Sequence, residues 1–428
     1  MYEQTVKKLF AFIEASPSQF HAIENQKQRL LGEGYEQIFE GKAWDLKVGG
    51  KYFVTRNGSS IIAFRIPKED YKGFQIMASH SDAPCFKIKE NPEMMAEGHY
   101  VKLNVEKYGG LVCSQWFDRP LSVAGRLVVR ENGKLVSKLV NVDRDLLMIP
   151  NLAIHMNREV NDGYKYSIQK DMLPLFGCEE AKGTFMDQIA AAAGVEKDVI
   201  LGNDLFLYNR MKGCIWGANN EYISIGRLDD LQCAFSSLEG FLAAADGDSM
   251  PVHAVFDNEE VGSQTKQGAA GTFLLDTLLR ISEGLGKSQS QYRQALANSF
   301  MLSADNAHAA HPNYGEKACP TNRPVPNGGV VVKFSANQKY TTDAVSKAVF
   351  TDICERAEVP MQAYFNHSDV LGGSTLGNIS GTQVSINSVD VGVAQLAMHS
   401  SYETGGVKDT EYLLRAAKEF FQSTVEEI

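Results

Sequence analysis

Short apolar runs that stop at charged residues recur along this chain. Phe74-Gln-Ile-Met-Ala-Ser leads into His80-Ser-Asp82, Val252–Phe256 into Asp257-Asn-Glu259-Glu260, Phe300–Ala304 into Asp305, and Val391–Met398 into His399. Apolar runs of about four to eight residues bounded by turn chemistry predict strands buried on both faces. Between them, residues 231–245, 271–285 and 342–357 read as helices, and a last helix starts near residue 409. Further strands are expected at 329–334, 362–365, 383–387 and 391–393. This alternation predicts an α/β fold, a largely parallel sheet sandwiched by helices.

The N-terminal part begins with two amphipathic helices, 3–14 and 18–31, parted by Pro17, with Ser18 as N-cap and Gly32 as stop. Residues 51–56 and 60–66 pair through the tight turn Asn57-Gly58. The style changes after about residue 90. Residues 99–142 are β-rich, with 122–130 and 134–140 joined through Asn132-Gly133, and a helix is expected near 184–193. At 428 residues the chain exceeds the usual single core. The expected division is a main domain in two parts, 1–91 and 220–428, with a β-rich domain inserted at 92–219.

The net charge of −10 argues against a nucleic-acid surface, which needs clustered Lys and Arg. No apolar run approaches the ~20 residues that span a bilayer, so no membrane partner is expected. The seven cysteines are scattered and never form C-x-x-C, which suits reduced thiols in a cytoplasm.

The acids carry the chemistry. In open α/β sheets, ligand sites form beyond the carboxyl ends of strands. Asp229 in Arg227-Leu-Asp-Asp, the pair Glu259-Glu260 and Asp305 stand at such places, as do His80 and His399. Two histidines and three carboxylates suit two divalent ions sharing a bridging carboxylate. Imidazole and carboxylate without thiolate fit zinc, with cobalt or manganese as alternatives. His21, His99, His253 and His367 match no motif and read as surface or satisfied core histidines.

His80-Ser-Asp-Ala-Pro, Arg227-Leu-Asp, Asn258-Glu-Glu-Val-Gly-Ser, Ser303-Ala-Asp-Asn-Ala-His-Ala-Ala-His-Pro-Asn-Tyr and Met398-His-Ser follow one another in a fixed order. Together they resemble the aspartyl aminopeptidase family, from about residue 15 to the C-terminus. The resemblance implies a dinuclear-zinc exopeptidase fold whose inserted β-rich domain serves dimerisation, and a closed, hollow dodecamer. It implies a substrate class of peptides with N-terminal Asp or Glu. Asp229 would bridge both metals, His399 and Glu260 would complete one shell, and His80 and Asp305 the other. Glu259 would be the general base and acid, and Asp82 would hold the His80 imidazole. Asp230 stands where relatives often have Asn and is not expected to ligate. Lys333 would bind the acidic side chain, His308 would stand near the substrate, and His155 would be lent to a neighbouring subunit. The roles fit the chemistry, because a metal lowers the pKa of bound water to about 7 and a free carboxylate can take its proton.

Overall fold

The computed structural model of the chain describes residues 2–370 and 372–425. Among these, 13 strands form one mixed sheet. Four lie side by side and parallel at its centre, in the order Met250–Phe256, Phe74–His80, Phe300–Ala304, Asn387–Leu396. Every residue of the first three is buried, as expected of near-continuous apolar runs in a parallel sheet. The register is what matters for function. Phe256 pairs with His80, and Ser303 pairs with Ala78, two residues short of Asp305 and His80 respectively. The carboxyl ends of neighbouring strands therefore deliver their polar residues to one place.

Alternate side chains of these strands face opposite layers. Ile61, Ala63, Met77 and Val255 pack with Leu238, Phe241, Leu413 and Phe420, from helices Leu228–Ala243 and Asp409–Gln422. Ile62, Phe64, Ile76 and Ala254 pack with Phe273, Leu274, Leu278 and Ile281 of helix Phe273–Gly284. The sheet is covered on both sides, and this sandwich is the α/β fold read from the alternation of elements.

A second, six-stranded antiparallel sheet is built from strands Cys85–Ala96, Tyr100–Tyr108, Leu121–Glu131, Lys134–Asn141, Leu175–Cys178 and Ile200–Asn209. Its own core holds Phe86, Leu103, Val123, Phe185 and Leu205. Strand Cys85–Ala96 runs straight across the boundary expected at residue 91. Cys214–Trp216, expected inside the insertion, pairs with Tyr222–Ile225 of the large sheet. Ladder hydrogen bonds set these limits, and composition does not report them.

Two other elements differ from expectation. The strand expected at 383–387 is absent but for its last residue, and the one expected at 391–393 lies within a longer strand, Asn387–Leu396, with buried Asp390 in its interior. Its polar side chain broke the apolar pattern, yet it accepts from Thr341 Oγ1 at 2.7 Å. Helix Gln289–Ala297 was not expected, because only Tyr292 and Ala295 of it are buried. A capping box between Ser288 and Gln291 starts it. Ser18 does precede a helix, but its hydroxyl meets His21 Nδ1 at 2.8 Å instead of capping the backbone. Among the described residues, no helix is long and apolar enough to cross a membrane.

His253, inside strand Met250–Phe256, is a satisfied core histidine. Ser237 Oγ lies 2.7 Å from its Nδ1 and Gln26 Oε1 lies 2.8 Å from its Nε2. Burial lowers its pKa to about 3. Between pH 6.5 and 3 the unfolded chain therefore takes up a proton that the folded chain refuses, so stability falls as the pH falls. Above pH 6.5 the contribution is complete. Substituting His253→Gln should flatten the loss of folding free energy over that window by up to about 1.4 kcal/mol per pH unit, measured by denaturant unfolding at each pH. Parallel pH profiles for variant and wild type would refute this.

Candidate metal centre

His80 is the last residue of its strand, Glu259 and Glu260 follow the end of the neighbouring strand, and Asp305 follows directly on Phe300–Ala304. Asp229 arrives from another direction. It lies in the first turn of Leu228–Ala243, where Asp229 (φ −80°, ψ 109°) and Asp230 (φ −120°, ψ 22°) leave helical geometry. His399, at φ 65°, follows the strand that pairs with Phe300–Ala304. Gly392 of that strand is obligatory, since a Cβ there would stand 1.9 Å from the Asp305 carbonyl oxygen.

These side chains meet as two sets joined by one carboxylate. His80 Nε2 lies 3.4 Å from Asp229 Oδ1 and 4.0 Å from Asp305 Oδ1. His399 Nε2 lies 3.3 Å from Asp229 Oδ2 and 3.4 Å from Glu260 Oε2. A tetrahedral ion with ligands at about 2.0–2.1 Å holds them about 3.3–3.4 Å apart. Asp229 thus turns one oxygen toward each histidine. Asp229 Oδ1 and Glu260 Oε1 are buried without a hydrogen-bond partner, and a buried orphan acceptor is costly unless something binds it. The residues fit divalent ions.

The imidazoles are oriented for this. His399 Nδ1 stands 2.6 Å from the Gly110 carbonyl oxygen. His80 Nδ1 stands 3.1 Å from the Asp82 carbonyl oxygen and 3.3 Å from Asp82 Oδ1. Oxygens of this kind only accept, so Nδ1 carries the proton in both rings and Nε2 is left free to ligate. Asp82 also accepts from the backbone N–H groups of Glu259 and Glu260, each at 3.2 Å, and from Tyr108 Oη at 2.6 Å. It fixes one histidine and the whole Glu259-Glu260 turn at once.

Electrostatics follow the crowding. Burial and then hydrogen bonding act on Asp229 in opposite senses, and hydrogen bonds from His399 and His80 win, holding its carboxyl below the ordinary range. Burial pushes Glu260 well up, with Asp229 adding to it. Glu259 rises to about 8, through burial first, against His80 and with help from Asp305. Asp230, fully buried, is raised mainly by burial, and its Oδ2 accepts the His80 backbone N–H at 3.1 Å. Asp230 stands in one potential donor group with His80, Asp229 and Asp305.

Three expected residues are placed differently from this cluster. Lys333 is 1% exposed, and its Nζ lies 3.3 Å from Asp305 Oδ2 and donates to the carbonyl oxygens of Asp305 (2.8 Å) and Asn306 (3.4 Å). It supports Asp305 from behind and its donors are engaged. His308 is exposed and lines a cavity of about 240 Å³ with His311, Tyr314 and Tyr364. His155 sits in the exposed turn Ile154–Met156 of the second sheet's connections and joins none of the donor groups. Sequence reasoning missed Gly110, Tyr108 and Glu403. The Gly109-Gly110 pair was visible as a turn, but nothing in the sequence ties it to His399.

A two-histidine, multi-carboxylate centre at the strand ends of a helix-covered mixed sheet defines a metal-dependent hydrolase of the exopeptidase kind. A family model described as "Aminopeptidase I zinc metalloprotease (M18)" matches residues 12–421, so the chain belongs to the M18 family of zinc aminopeptidases. A probable M18 family aminopeptidase 2 from Clostridium acetobutylicum is 48% identical over 97% of this chain and 98% of that protein. Among solved structures, one of the Ape4 and Nbr1 complex matches with a TM-score of 0.95 at 34% identity, covering 98% of this chain and 86% of that one. The S. cerevisiae mApe1 dodecamer matches with a TM-score of 0.85 at 28% identity over 98% and 97% of the two chains. The protein is a metallo-aminopeptidase.

Removing the ions should expose the repulsion among these acids. Dialysis against a chelator should lower the thermal midpoint by several degrees, because a ligand at about 1,000 times its Kd adds about 4 kcal/mol to folding stability. Zinc should restore it. A midpoint indifferent to chelation would show that the carboxylates are compensated within the protein.

Proposed function

We propose that the enzyme removes N-terminal Asp or Glu from peptides, using two divalent ions in each subunit, zinc in the first instance. The observation that carries the two-ion reading is Asp229, whose two oxygens face different histidines. His80 and Asp305 would hold one ion and His399 and Glu260 the other, with Asp229 shared. Ions bound there supply Lewis acidity and lower the pKa of a water.

The chain's own residues do the rest. Glu259 is the carboxylate of the turn that is not aimed at His399. It takes a proton from the attacking water and hands it to the departing amine. Burial raises its pKa, which gives it the proton affinity of a general base. Asp82 keeps Glu259 and His80 in register throughout. His308, which lines a cavity with His311, Tyr314 and Tyr364, would stand near the peptide. An acidic first side chain is favoured by the Lys333 ammonium, acting at short range through Asp305. When Asp305 shares its charge with an ion, the lysine's positive charge is no longer fully neutralised.

The assembly we propose is a dimer built through the six-stranded β-rich unit, closing into a hollow dodecamer in the cytoplasm. The exposed side chains Leu152, Ile154 and Met156 around His155 favour burial against another subunit. His155 would then complete a neighbour's site. The mApe1 dodecamer supports self-association by likeness.

A second reading has one observation in its favour. Because the donors of Lys333 already meet Asp305 and Asn306, the lysine could serve Asp305 alone and leave the enzyme selective for neutral residues. Release of X from X-Ala-Ala peptides, with X as Asp, Glu, Leu or Lys, separates the two. We expect chelator-sensitive release confined to Asp and Glu, and a far greater loss for them than for Leu in Lys333→Ala. Release of Leu in preference, or an equal loss across all X, selects the second reading. Glu259→Gln should retain its ions and lose about 100- to 10,000-fold in turnover. Full turnover in that variant would remove Glu259 as the base.

A further inference from the structure

Glu403 is a buried acid that the chemistry above leaves without a part. It opens strand Glu403–Gly406 and is 2% exposed. Its two oxygens serve two different segments of the centre. Oε2 accepts the backbone N–H of Asp229 at 3.0 Å, and Oε1 accepts that of His399 at 2.7 Å. Neither N–H has a partner in a regular element, because Asp229 lies in the first turn of its helix and His399, left-handed, lies beyond the end of its strand. A buried N–H left open is costly; burial, with Asp229 adding to it, raises the Glu403 pKa to about 8, and the two N–H donors oppose that rise by favouring the carboxylate.

A side-chain network extends the same hold. Gln395 Nε2 donates to Glu403 Oε1 at 3.4 Å, and Gln395 Oε1 accepts from Asn306 Nδ2 at 2.8 Å. Asn306 follows Asp305 directly, and its Nδ2 also donates to the Leu228 carbonyl at 3.2 Å. Glu403, Gln395 and Asn306 are all buried. The segments carrying Asp229, Asp305 and His399 are thus tied together by groups that do not themselves face the ions.

We propose that Glu403 is a positioning residue that sets the spacing between Asp229 and His399, and through it the affinity for the ion these two share. The inference rests on the two-ion reading and goes beyond it, since it concerns how the site is held rather than what it does. The chemistry predicts a specific weakness. In Glu403→Gln the carboxamide oxygen can accept one N–H, but its amino group then confronts the other, donor against donor. One ligand segment must move. Asp, shorter by one methylene, keeps the charge but cannot span both N–H groups.

The test titrates Co²⁺ into the ion-free full-length protein and reads stoichiometry and visible absorption, with the thermal midpoint as a check on folding. Thr404→Val is the control. Thr404 neighbours Glu403 on the same strand, and its hydroxyl pairs with Ser224 Oγ at 2.8 Å, away from the ligands. We expect wild type and Thr404→Val to bind two ions with one spectrum. Glu403→Gln should hold the second ion about 10- to 100-fold more weakly, with an altered spectrum. Wild-type affinity and spectrum in Glu403→Gln overturn the proposal. If that variant does not fold, Glu403→Asp decides, and there too a wild-type second-ion affinity overturns it. Should the wild type bind a single ion, the two-ion reading falls. The clamp then stands on whether Glu403→Gln weakens that one ion, since Asp229 faces both histidines, and an unchanged affinity refutes it.

Discussion

Five carboxylates and two imidazoles share one centre, in Asp229, Asp230, Glu259, Glu260, Asp305, His80 and His399. Burial and mutual repulsion both oppose their ionisation, so the arrangement is tenable only if cations or hydrogen bonds compensate them. The parallel sheet is the part of the fold rigid enough to impose it. Adjacent strands buried along their whole length cannot slip in register without turning apolar side chains to the wrong face. Their carboxyl ends therefore hold fixed relative positions, and like charges are kept together that would otherwise part.

Two further acids carry this rigidity into the candidate ligands. Asp82 binds the N–H groups of Glu259 and Glu260 and the His80 ring, and Glu403 binds the N–H groups of Asp229 and His399. Each joins segments that are distant in sequence. The backbone conformations of these segments are uncommon for residues with a side chain. Arg227, Asn258 and His399 have φ of 61°, 62° and 65°. Such residues persist where the surroundings over-determine them, and they gather at functional sites. The second sheet takes part as well. Strand Tyr100–Tyr108 ends in Tyr108, which donates to Asp82, and the next turn brings the Gly110 carbonyl to the His399 ring. A Cβ on Gly109 would stand 3.1 Å from Glu260 Cβ. The six-stranded sheet and the metal centre are therefore mechanically coupled.

What the sequence makes legible is local. Apolar runs ending at His80, Glu259 and Asp305 announce strand ends, and strand ends locate the site. The orientation of Asp229, one oxygen toward each histidine, follows from no local signal, because it depends on a departure from helical geometry inside the helix Leu228–Ala243. Glu403 reads as an ordinary acid before Thr-Gly-Gly, and only the pairing of Glu403–Gly406 with Tyr222–Ile225 brings it beneath Asp229. Asp390 misled in the opposite sense, since a charged residue inside a strand looks like an interruption until Thr341 is seen to bind it. The helix Gln289–Ala297 buries too little to show an apolar face, although its capping box was there to be read.

Lys333 is a buried charge built into the metal centre. Its ammonium is tied to Asp305 and Asn306, and Asp305 raises its pKa against the effect of burial, so it remains charged. Removing one partner of such a pair leaves the other uncompensated, which is more damaging than never having built the pair. Losing the lysine would therefore alter Asp305, and with it the His80 side of the centre, before any substrate arrives. Retention of an ion by Asp305 would consequently depend on the lysine as well as on the carboxylate. A lysine read from sequence as a substrate-binding group stands, in the fold, against Asp305 of the metal centre.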